Sequence, residues 1–128
     1  MKETKTVNYT TLYLDNQGTS HFREDQAEFK MVDFAPPAPP VGLSGYIDVS
    51  RLVFFQLPPG WFGDWHPAPK KQFFCCLKGQ LEIMAGDGEV RRFSQGDVFL
   101  LEDISGRGHQ TRVIGESEFT AAVIQLRQ

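Results

Sequence analysis

The sequence predicts an all-β protein that folds as a single barrel or sandwich. Short segments rich in Val, Ile, Phe and Thr recur at spacings of roughly 8–12 residues, with Gly, Asn, Asp or Pro between them, a pattern typical of such folds. No segment shows the apolar period of an amphipathic helix. The length of 128 residues fits one domain, and 11 Phe residues can supply its hydrophobic core.

The N-terminal part is expected to contribute two strands and an extended arm. Residues 7–14 form a β-branched and aromatic strand that ends at the turn residues 15–18, and residues 20–29 are a second strand candidate. The proline-rich run at residues 35–40 cannot donate ladder hydrogen bonds at its prolines, so it should be extended. We interpret this arm as a spacer laid over the barrel. A cover over the barrel mouth and a contact with a partner subunit remain open as alternatives.

Residues 45–128 are expected to form the barrel itself, with residues 1–44 packing on it as strands and arm within one structural domain. The sequence Gly86-Asp87-Gly88 is a tight turn of the kind that joins hairpin strands. The predicted strands of the barrel lie at residues 46–57, 72–77, 81–85, 89–93, 98–101, 109–114 and 118–126.

Composition excludes several classes of function. The net charge is −3 and no block of Lys or Arg occurs, so the sequence predicts no nucleic-acid surface. No apolar run is long enough to cross a bilayer, and the N-terminus lacks the apolar core of a signal peptide, so we expect a cytoplasmic location and no membrane contact. The adjacent Cys75 and Cys76 would point to opposite faces of a strand, where a disulfide between them would be strained. We expect two reduced thiols.

Two of the three histidines lie in glycine-bounded stretches that could form one site. The first stretch, residues 60–66, ends in Asp64-Trp65-His66, and the second, residues 96–109, ends in His109. Residues i and i+2 of a strand share a face. Asp64 and His66 are therefore expected to point into one cavity, which His109 can reach from another strand.

These stretches resemble the two sequence motifs of the cupin family, and in particular those of small single-domain cupins of the cupin type-2 conserved-barrel kind. Asp64 stands where the family has its first metal-binding His, and His66 matches the second. Gln72 stands where the family has its metal-binding Glu, because six residues separate it from Gly79. His109 matches the His of the second motif.

The resemblance covers about residues 45–126 and implies a cupin β-barrel, also described as a jelly roll or double-stranded β-helix. In the second motif Glu102 replaces the usual proline and Val113 replaces the usual Asn. Cupins often pair through their N-terminal strands, so the resemblance also implies a homodimer.

The resemblance further implies a metal site made of Asp64, His66, Gln72 and His109. Two imidazoles and one carboxylate are the ligand set of a facial triad, which leaves positions open on iron(II), and zinc, manganese or nickel could accept such ligands too. Gln72 would be a weaker ligand than Glu because its amide is neutral. The alternative is that no metal binds. Pro67 could end the strand after His66, and Asp64 could instead accept hydrogen bonds from a turn or pair with an arginine.

Phe54, Phe74, Cys76 and Glu102 are candidate residues of the pocket around this site. The two phenylalanines could form an apolar wall, with ordinary core packing as the alternative. Cys76 shares the strand parity of Gln72, so it should also face the barrel interior. Glu102 could place an acid–base carboxylate at the barrel mouth, although its position also suits a residue that only shapes the turn.

Three classes of function remain open on the sequence. The interpretation we adopt is a barrel that binds a small-molecule ligand in a pocket holding a divalent metal or none. The second class is a metal-dependent enzyme of dioxygenase, isomerase or decarboxylase type acting on a small organic substrate. The third is a largely structural or interaction domain, dimeric through its N-terminal strand and Trp-rich sheet. Fold analogy alone does not select among them.

Overall fold

Strands and the loops between them make up the part of the chain that the computed structural model describes, residues 5–127. The predicted all-β fold is therefore confirmed. No helix in this range is long and apolar enough to cross a membrane. The strands are β1 (Thr6–Leu14), β2 (Ser20–Glu28), β3 (Lys30–Val32), β4 (Val41–Leu43), β5 (Val49–Leu57), β6 (Phe62–His66), β7 (Gln72–Lys78), β8 (Gln80–Met84), β9 (Val90–Phe93), β10 (Val98–Leu101), β11 (His109–Ile114) and β12 (Phe119–Leu126).

The strands form two main sheets with the hydrophobic core between them. One sheet has the order β2-β1-β10-β7-β12-β5, and the other has the order β6-β11-β8-β9. The core joins Phe74, Phe99 and Val123 of the first sheet to Leu81 and Ile83 of the second. β1 runs parallel to β10, and the other neighbours in both sheets are antiparallel. This arrangement is the barrel that the cupin motifs imply.

The alternation of side chains along β12 shows how the sequence sets the two faces of the larger sheet. Phe119, Ala121 and Val123 are buried in the core. Ala122 and Ile124 point to the outer face, as the two-residue period of a strand requires, and they remain partly exposed.

The proline-rich run forms the tip of a hairpin, which corrects the expectation of a spacer laid over the barrel. Strands β3 and β4 pair with each other and with no strand of the two main sheets. Residues 30–42 are exposed along their whole length. β1 and β2 do join the larger sheet, so only the arm departs from the expected packing. Pairing β3 with β4 satisfies backbone groups on either side of the prolines, so the arm does not need the barrel for its hydrogen bonds.

Candidate functional site

A cavity of about 140 Å³ lies between the two sheets. Its walls are mainly apolar and include Phe55, Trp61, Phe74, Phe99 and Leu101. The polar side chains at the cavity are few, and they come from strands β6, β7 and β11 of both sheets; they are His66, Gln72, His109 and Thr111.

His109 is held by a buried carboxylate. Its Nδ1–H donates to Asp103 Oδ2 at 2.5 Å, and the two residues are 2% and 0% exposed. The backbone of Asp103 is fixed in turn, because its carbonyl oxygen accepts a hydrogen bond from the amide of Ala68 at 2.9 Å. Since a carboxylate oxygen accepts this bond, Nδ1 carries the hydrogen and Nε2 is the ring nitrogen left for the cavity.

His66 is oriented in the same way by a different acceptor. Its Nδ1–H donates to the backbone carbonyl of Asp64 at 2.6 Å, which again leaves Nε2. The rings of His66 and His109 are neighbours, with centroids 4.7 Å apart and planes tilted by 54°. Over residues 5–127 neither Nε2 atom has a hydrogen-bond partner. Two ring nitrogens are therefore available at one cavity.

Two glycines allow the strands that carry these histidines to approach. Gly108 has φ +77°, and a Cβ there would lie 2.0 Å from the carbonyl oxygen of His66. A Cβ at Gly63 would lie 2.4 Å from the indole of Trp61 and 3.1 Å from Cε1 of His66. Side chains at either position would displace the groups that form the cavity.

Asp64 does not share the cavity with His66, which corrects the predicted facial triad. His109 pairs with His66, and Thr111 pairs with Gly63, so β6 has one residue more than β11 across this interval. The extra residue is a β-bulge, which interrupts the regular alternation of side chains along β6. Asp64 and His66 therefore do not point to the same face, although the prediction assumed that they would.

The carboxylate of Asp64 is engaged outside the cavity. Asp64 is exposed, and its Oδ1 accepts hydrogen bonds from Gln110 Nε2 and from the Trp65 amide, both at 2.8 Å. The bond from Gln110 and then that from Trp65 lower the pKa of Asp64. Asp64 is therefore an ionised surface carboxylate that helps to shape the bulge.

Gln72 is buried at the cavity, and its carbonyl oxygen already has a partner. Gln125 Nε2 donates to Gln72 Oε1 at 3.2 Å, and Arg51 Nη2 donates to Gln125 Oε1 at 3.2 Å. This chain of bonds orients the Gln72 amide and leaves its N–H groups for the cavity. Gln72 is therefore better placed to donate a hydrogen bond to a ligand than to coordinate a metal ion.

The two predicted pocket phenylalanines have different positions. Phe74 lines the cavity. Phe54 is 71% exposed on the outer face of β5, and its neighbour Phe55 forms the cavity wall instead. The predicted wall at Phe54 is thus displaced by one residue, which in a strand moves the side chain to the opposite face.

Cys76 and Glu102 do not line the cavity. Cys76 faces the barrel interior but lies in the core cluster, and burial, with smaller effects of Asp97 and Cys75, raises its pKa to about 12. Glu102 is half-buried, and its carboxylate lies 3.7 Å from the guanidinium of Arg23. An acid–base role for Glu102 at this cavity has no support in the geometry.

Asp103 belongs to the site through its bond to His109, although its place beside Glu102 in the turn of the second motif indicates only a residue that shapes that turn. The segment 100–109 contains two adjacent acidic residues, Glu102 and Asp103, and only the second is buried. Its position six residues before His109 gives no strand or helix periodicity that links the two side chains. Asp103 Oδ1 has no hydrogen-bond partner within the described chain.

The cavity offers a metal ion two candidate protein ligands, the imidazoles of His66 and His109. No group of three or more His, Cys, Asp or Glu side chains that could hold an ion occurs within residues 5–127. Imidazoles bound to one ion at about 2.1 Å through Nε2 have ring centroids about 4.5–5.2 Å apart at the usual ligand angles, so the spacing of His66 and His109 is compatible with a shared ion. The observed separation of 4.7 Å lies in that range.

Three solved structures show which proteins this chain resembles. A cupin 2 conserved barrel domain protein from Salinispora arenicola is 19% identical, with a TM-score of 0.49, over 91% of this chain and 81% of that chain. A cupin-2 domain containing protein from Shewanella frigidimarina is 18% identical, with a TM-score of 0.45, over 59% of this chain and 69% of that chain. A cupin domain from Bordetella pertussis is 15% identical, with a TM-score of 0.46, over 65% and 91%.

The comparison with protein families is more specific. No curated protein matches the sequence of this chain. The family model described as the cupin domain matches residues 53–124, more than half of the chain. The matched span includes β6, β7 and β11, which carry the polar residues of the cavity. The chain therefore belongs to the cupin domain family.

Proposed function

We propose that this cupin binds a small organic molecule in its cavity and that His66 and His109 hold one divalent metal ion there. The observation that carries the proposal is the paired orientation of the two rings. Each Nδ1–H donates away from the cavity, to Asp64 O or to Asp103 Oδ2, while both rings line it. Metal-binding histidines show this arrangement. A hydrogen bond from the nitrogen that does not bind the metal fixes the tautomer and the orientation of the ring, so that the other nitrogen faces the ion.

The charge of Asp103 also favours a cation at this site. A fully buried carboxylate is costly unless a positive charge or several hydrogen bonds compensate it. Among residues 5–127 the carboxylate of Asp103 has one ion-pairing partner, the ring of His109, which contacts Oδ2. The other oxygen, Oδ1, accepts no hydrogen bond from these residues. A divalent ion on Nε2 of His109 would supply positive charge to the pair through the imidazole.

The walls of the cavity restrict the organic ligand to a compact molecule with an apolar body. The volume of about 140 Å³ is close to that of an engineered apolar cavity, about 150 Å³, that accepts benzene. The N–H groups of Gln72 and the hydroxyl of Thr111 can donate hydrogen bonds to an oxygen of the ligand. When bound, a divalent metal would supply Lewis-acid polarisation of that oxygen.

A metal-free binding site is the second candidate, and the orientation of Gln72 favours it. Where the family motif has a carboxylate ligand, this chain presents an amide whose carbonyl oxygen is bonded to Gln125. His66, His109 and Gln72 would then bind the ligand by hydrogen bonds alone.

Elemental analysis of tag-free protein purified without chelators tests the proposal. We expect about one metal ion per chain in the wild type and none in a His66→Ala/His109→Ala double variant. Asp64→Asn is the matched control, because this carboxylate lies outside the cavity and its loss should leave the metal content unchanged. Absence of metal after incubation with iron, zinc, manganese and nickel salts would refute the metal site. Retention of ligand binding by that metal-free protein would then select the second candidate.

A further inference from the structure

A row of three polar side chains crosses the larger sheet from its edge strand β5 to the cavity. Arg51 of β5 is the cross-strand partner of Gln125 of β12, and Gln125 is in turn the partner of Gln72 of β7. Val123 and Phe74, two residues from Gln125 and Gln72 along their strands, belong to the hydrophobic core. Residues i and i+2 of a strand share a face. The polar row therefore lies on the inner face of the sheet, the face that lines the cavity.

The arginine fixes the direction of the hydrogen bonds along this row. A guanidinium has donors and no acceptor. Arg51 Nε and Nη2 lie 3.4 Å and 3.2 Å from Gln125 Oε1. A half-turn of the Gln125 amide would place its N–H groups against those of Arg51. Gln125 must therefore present its oxygen to Arg51 and its Nε2 to the next residue of the row, Gln72.

The same constraint passes to the buried amide of Gln72. Its Oε1 accepts the bond from Gln125 Nε2 at 3.2 Å, so its N–H groups are the end of the amide that remains for the cavity. The salt bridges within residues 5–127 do not include Arg51, so no carboxylate there competes with Gln125 for the guanidinium. One exposed cation thus determines which end of a buried amide meets a ligand.

The cavity therefore has a donor on one wall and acceptors on the other. Gln72 of β7 offers N–H groups, whereas the Nε2 atoms of His66 and His109, on β6 and β11, offer lone pairs. The hydroxyl of Thr111 can donate or accept, so it does not set this polarity. No Lys or Arg is among the described residues that line the cavity, and a charged oxygen would find no cationic side chain there. The group that suits Gln72 is an uncharged oxygen acceptor.

We propose that the ligand is a compact carbonyl compound whose C=O oxygen accepts a hydrogen bond from Gln72 Nε2, and that Gln125 and Arg51 are the positioning residues that make the site specific for it. The proposal rests on the proposed function in that the ligand occupies the cavity. It holds with or without a metal ion on the histidines. A ligand that offers only a donor here would face the N–H groups of Gln72, and both donors would stay unpaired in an apolar cavity.

Reversal of the row tests the proposal. In a Gln125→Glu variant the ionised carboxylate can only accept, so Gln72 has to donate to it and turn its own oxygen toward the cavity. The probes are two neutral five-membered rings: cyclopentanone, which has only an acceptor, and pyrrole, whose N–H is only a donor. We expect the wild type to bind cyclopentanone about tenfold more tightly than pyrrole, and Gln125→Glu to reverse that preference. NMR titration gives the dissociation constants.

Two substitutions of Arg51 separate its positioning role from a structural one. Arg51→Met removes the donor that fixes Gln125, so the ratio of the two dissociation constants should fall toward one. Arg51→Lys should retain the preference of the wild type, because an ammonium is also a donor without an acceptor. Gln56→Glu is the matched control for Gln125→Glu. Gln56 is exposed on β5 and bonds to Thr120 Oγ1, so its replacement should leave the preference unchanged.

Equal binding of the two probes by the wild type, or the same preference in Gln125→Glu, would overturn the proposal and still leave the cavity a ligand site. Failure of both probes and of cyclopentane to bind would refute the ligand cavity of the proposed function, and the carbonyl ligand with it. Neutron diffraction from crystals grown in D2O tests the direction of the row without any ligand. Deuterium should lie on the cavity side of the Gln72 amide in the wild type and on the side of residue 125 in Gln125→Glu. The opposite direction in the wild type would overturn the proposal.

Discussion

At the scale of single residues, the side chain of Asp103 explains why His109 has one orientation. The imidazole is 2% exposed and donates its Nδ1–H to a carboxylate that is completely buried. His66 is anchored less strongly, by a neutral backbone carbonyl of its own strand. A bond to an ionised acceptor is the stronger of the two kinds. Asp103 should therefore act as a positioning residue for a metal ion on His109.

Replacing Asp103 by Asn should weaken metal binding without removing either imidazole. An amide holds the ring through a weaker, neutral hydrogen bond and adds no negative charge, and such changes reduce metal affinity by about 10–100-fold. Competition with a chromophoric chelator measures the dissociation constant for zinc. Asp64→Asn should leave that constant unchanged, because Asp64 bonds to Gln110 and to the Trp65 amide outside the cavity. Equal effects of the two substitutions would contradict a specific role of Asp103.

The sequence predicted part of this site, and a bulge accounts for one clear miss. His66, Gln72 and His109 lie at the cavity, at positions that follow from the glycine spacing of the two motifs. Asp64 was expected beside them because strand parity gives i and i+2 the same face, but β6 has an extra residue at this point. Bulges depend on the register between strands distant in the chain, which a local pattern does not contain. Whether a metal binds remains a prediction.

At the scale of secondary-structure elements, the close approach of β11 to β6 determines the distance between the two histidines. Gly108 precedes β11 and contacts the backbone of His66 where a side chain would overlap it. Because the obstacle is a backbone carbonyl, it cannot rotate away as a flexible side chain could. A larger residue would have to move one of the strands.

Gly108→Ala should therefore destabilise the fold much more than an alanine at another glycine of the same conformation. Gly60 is the matched control: its φ is also +77°, and a Cβ there would meet no atom within 4 Å. Both substitutions incur the strain of a positive φ, about 1 kcal/mol, and only Gly108→Ala adds the collision, for a total of about 3 kcal/mol or more. Urea unfolding of both variants measures the difference. An equal loss of unfolding free energy in the two variants would show that β6 and β11 can move apart with little loss of stability.

Most strands could be predicted because each is marked by its own residues. The strands predicted at 98–101 and 109–114 have the bounds of β10 and β11, Val98–Leu101 and His109–Ile114. The arm hairpin could not be predicted from the sequence, because β3 and β4 have only three residues each and the prolines between them indicate extended chain. Their pairing joins residues 30–32 to residues 41–43, a match that neither segment indicates alone.

At the scale of the whole molecule, His21 links turns of the two sheets. Its Nε2 lies 2.7 Å from Asp15 Oδ2 in the turn after β1, and its Nδ1 lies 3.0 Å from Asp87 Oδ2 in the turn between β8 and β9. Both nitrogens can donate only when the ring is an imidazolium. The hydrogen bond to Asp15, followed by that to Asp87, raises the pKa of His21, while partial desolvation opposes the shift.

The stabilisation that His21 provides should decrease as the pH rises. A raised folded-state pKa means that the contribution is complete below the ordinary value of about 6.5 and is lost as the pH passes through the folded-state pKa. The melting temperature of the wild type minus that of His21→Gln should therefore be positive near pH 6 and shrink above it. His66 and His109 are present in both proteins, so subtracting one melting temperature from the other removes their contribution to the pH dependence. A difference that is constant with pH would show that the ionised link does not stabilise the protein.

The overall barrel followed from the sequence because strand patterns and motif spacing agree on one architecture. The surfaces of the barrel could not be predicted in this way. A sequence pattern shows which residues alternate along a strand, but it does not show which face of the sheet is covered by the rest of the chain. Phe54 illustrates the difficulty. Its sequence neighbours are as apolar as those of any core strand, and yet its side chain lies on the exposed outer face.

Of the two tryptophans, one lines the cavity and the other does not. Trp61 forms part of the cavity wall, and Trp65 lies under Arg107 outside it. A Trp65→Phe substitution would thus leave a chain with one tryptophan, Trp61, whose emission can be excited apart from that of the three tyrosines and which lies at the cavity wall. Open-shell ions such as iron(II) or nickel(II) quench indole emission at short range, whereas zinc(II) does not. Quenching of Trp61 by iron(II) or nickel(II), with none by zinc(II), would therefore report an ion at the proposed site through a residue that the protein already has.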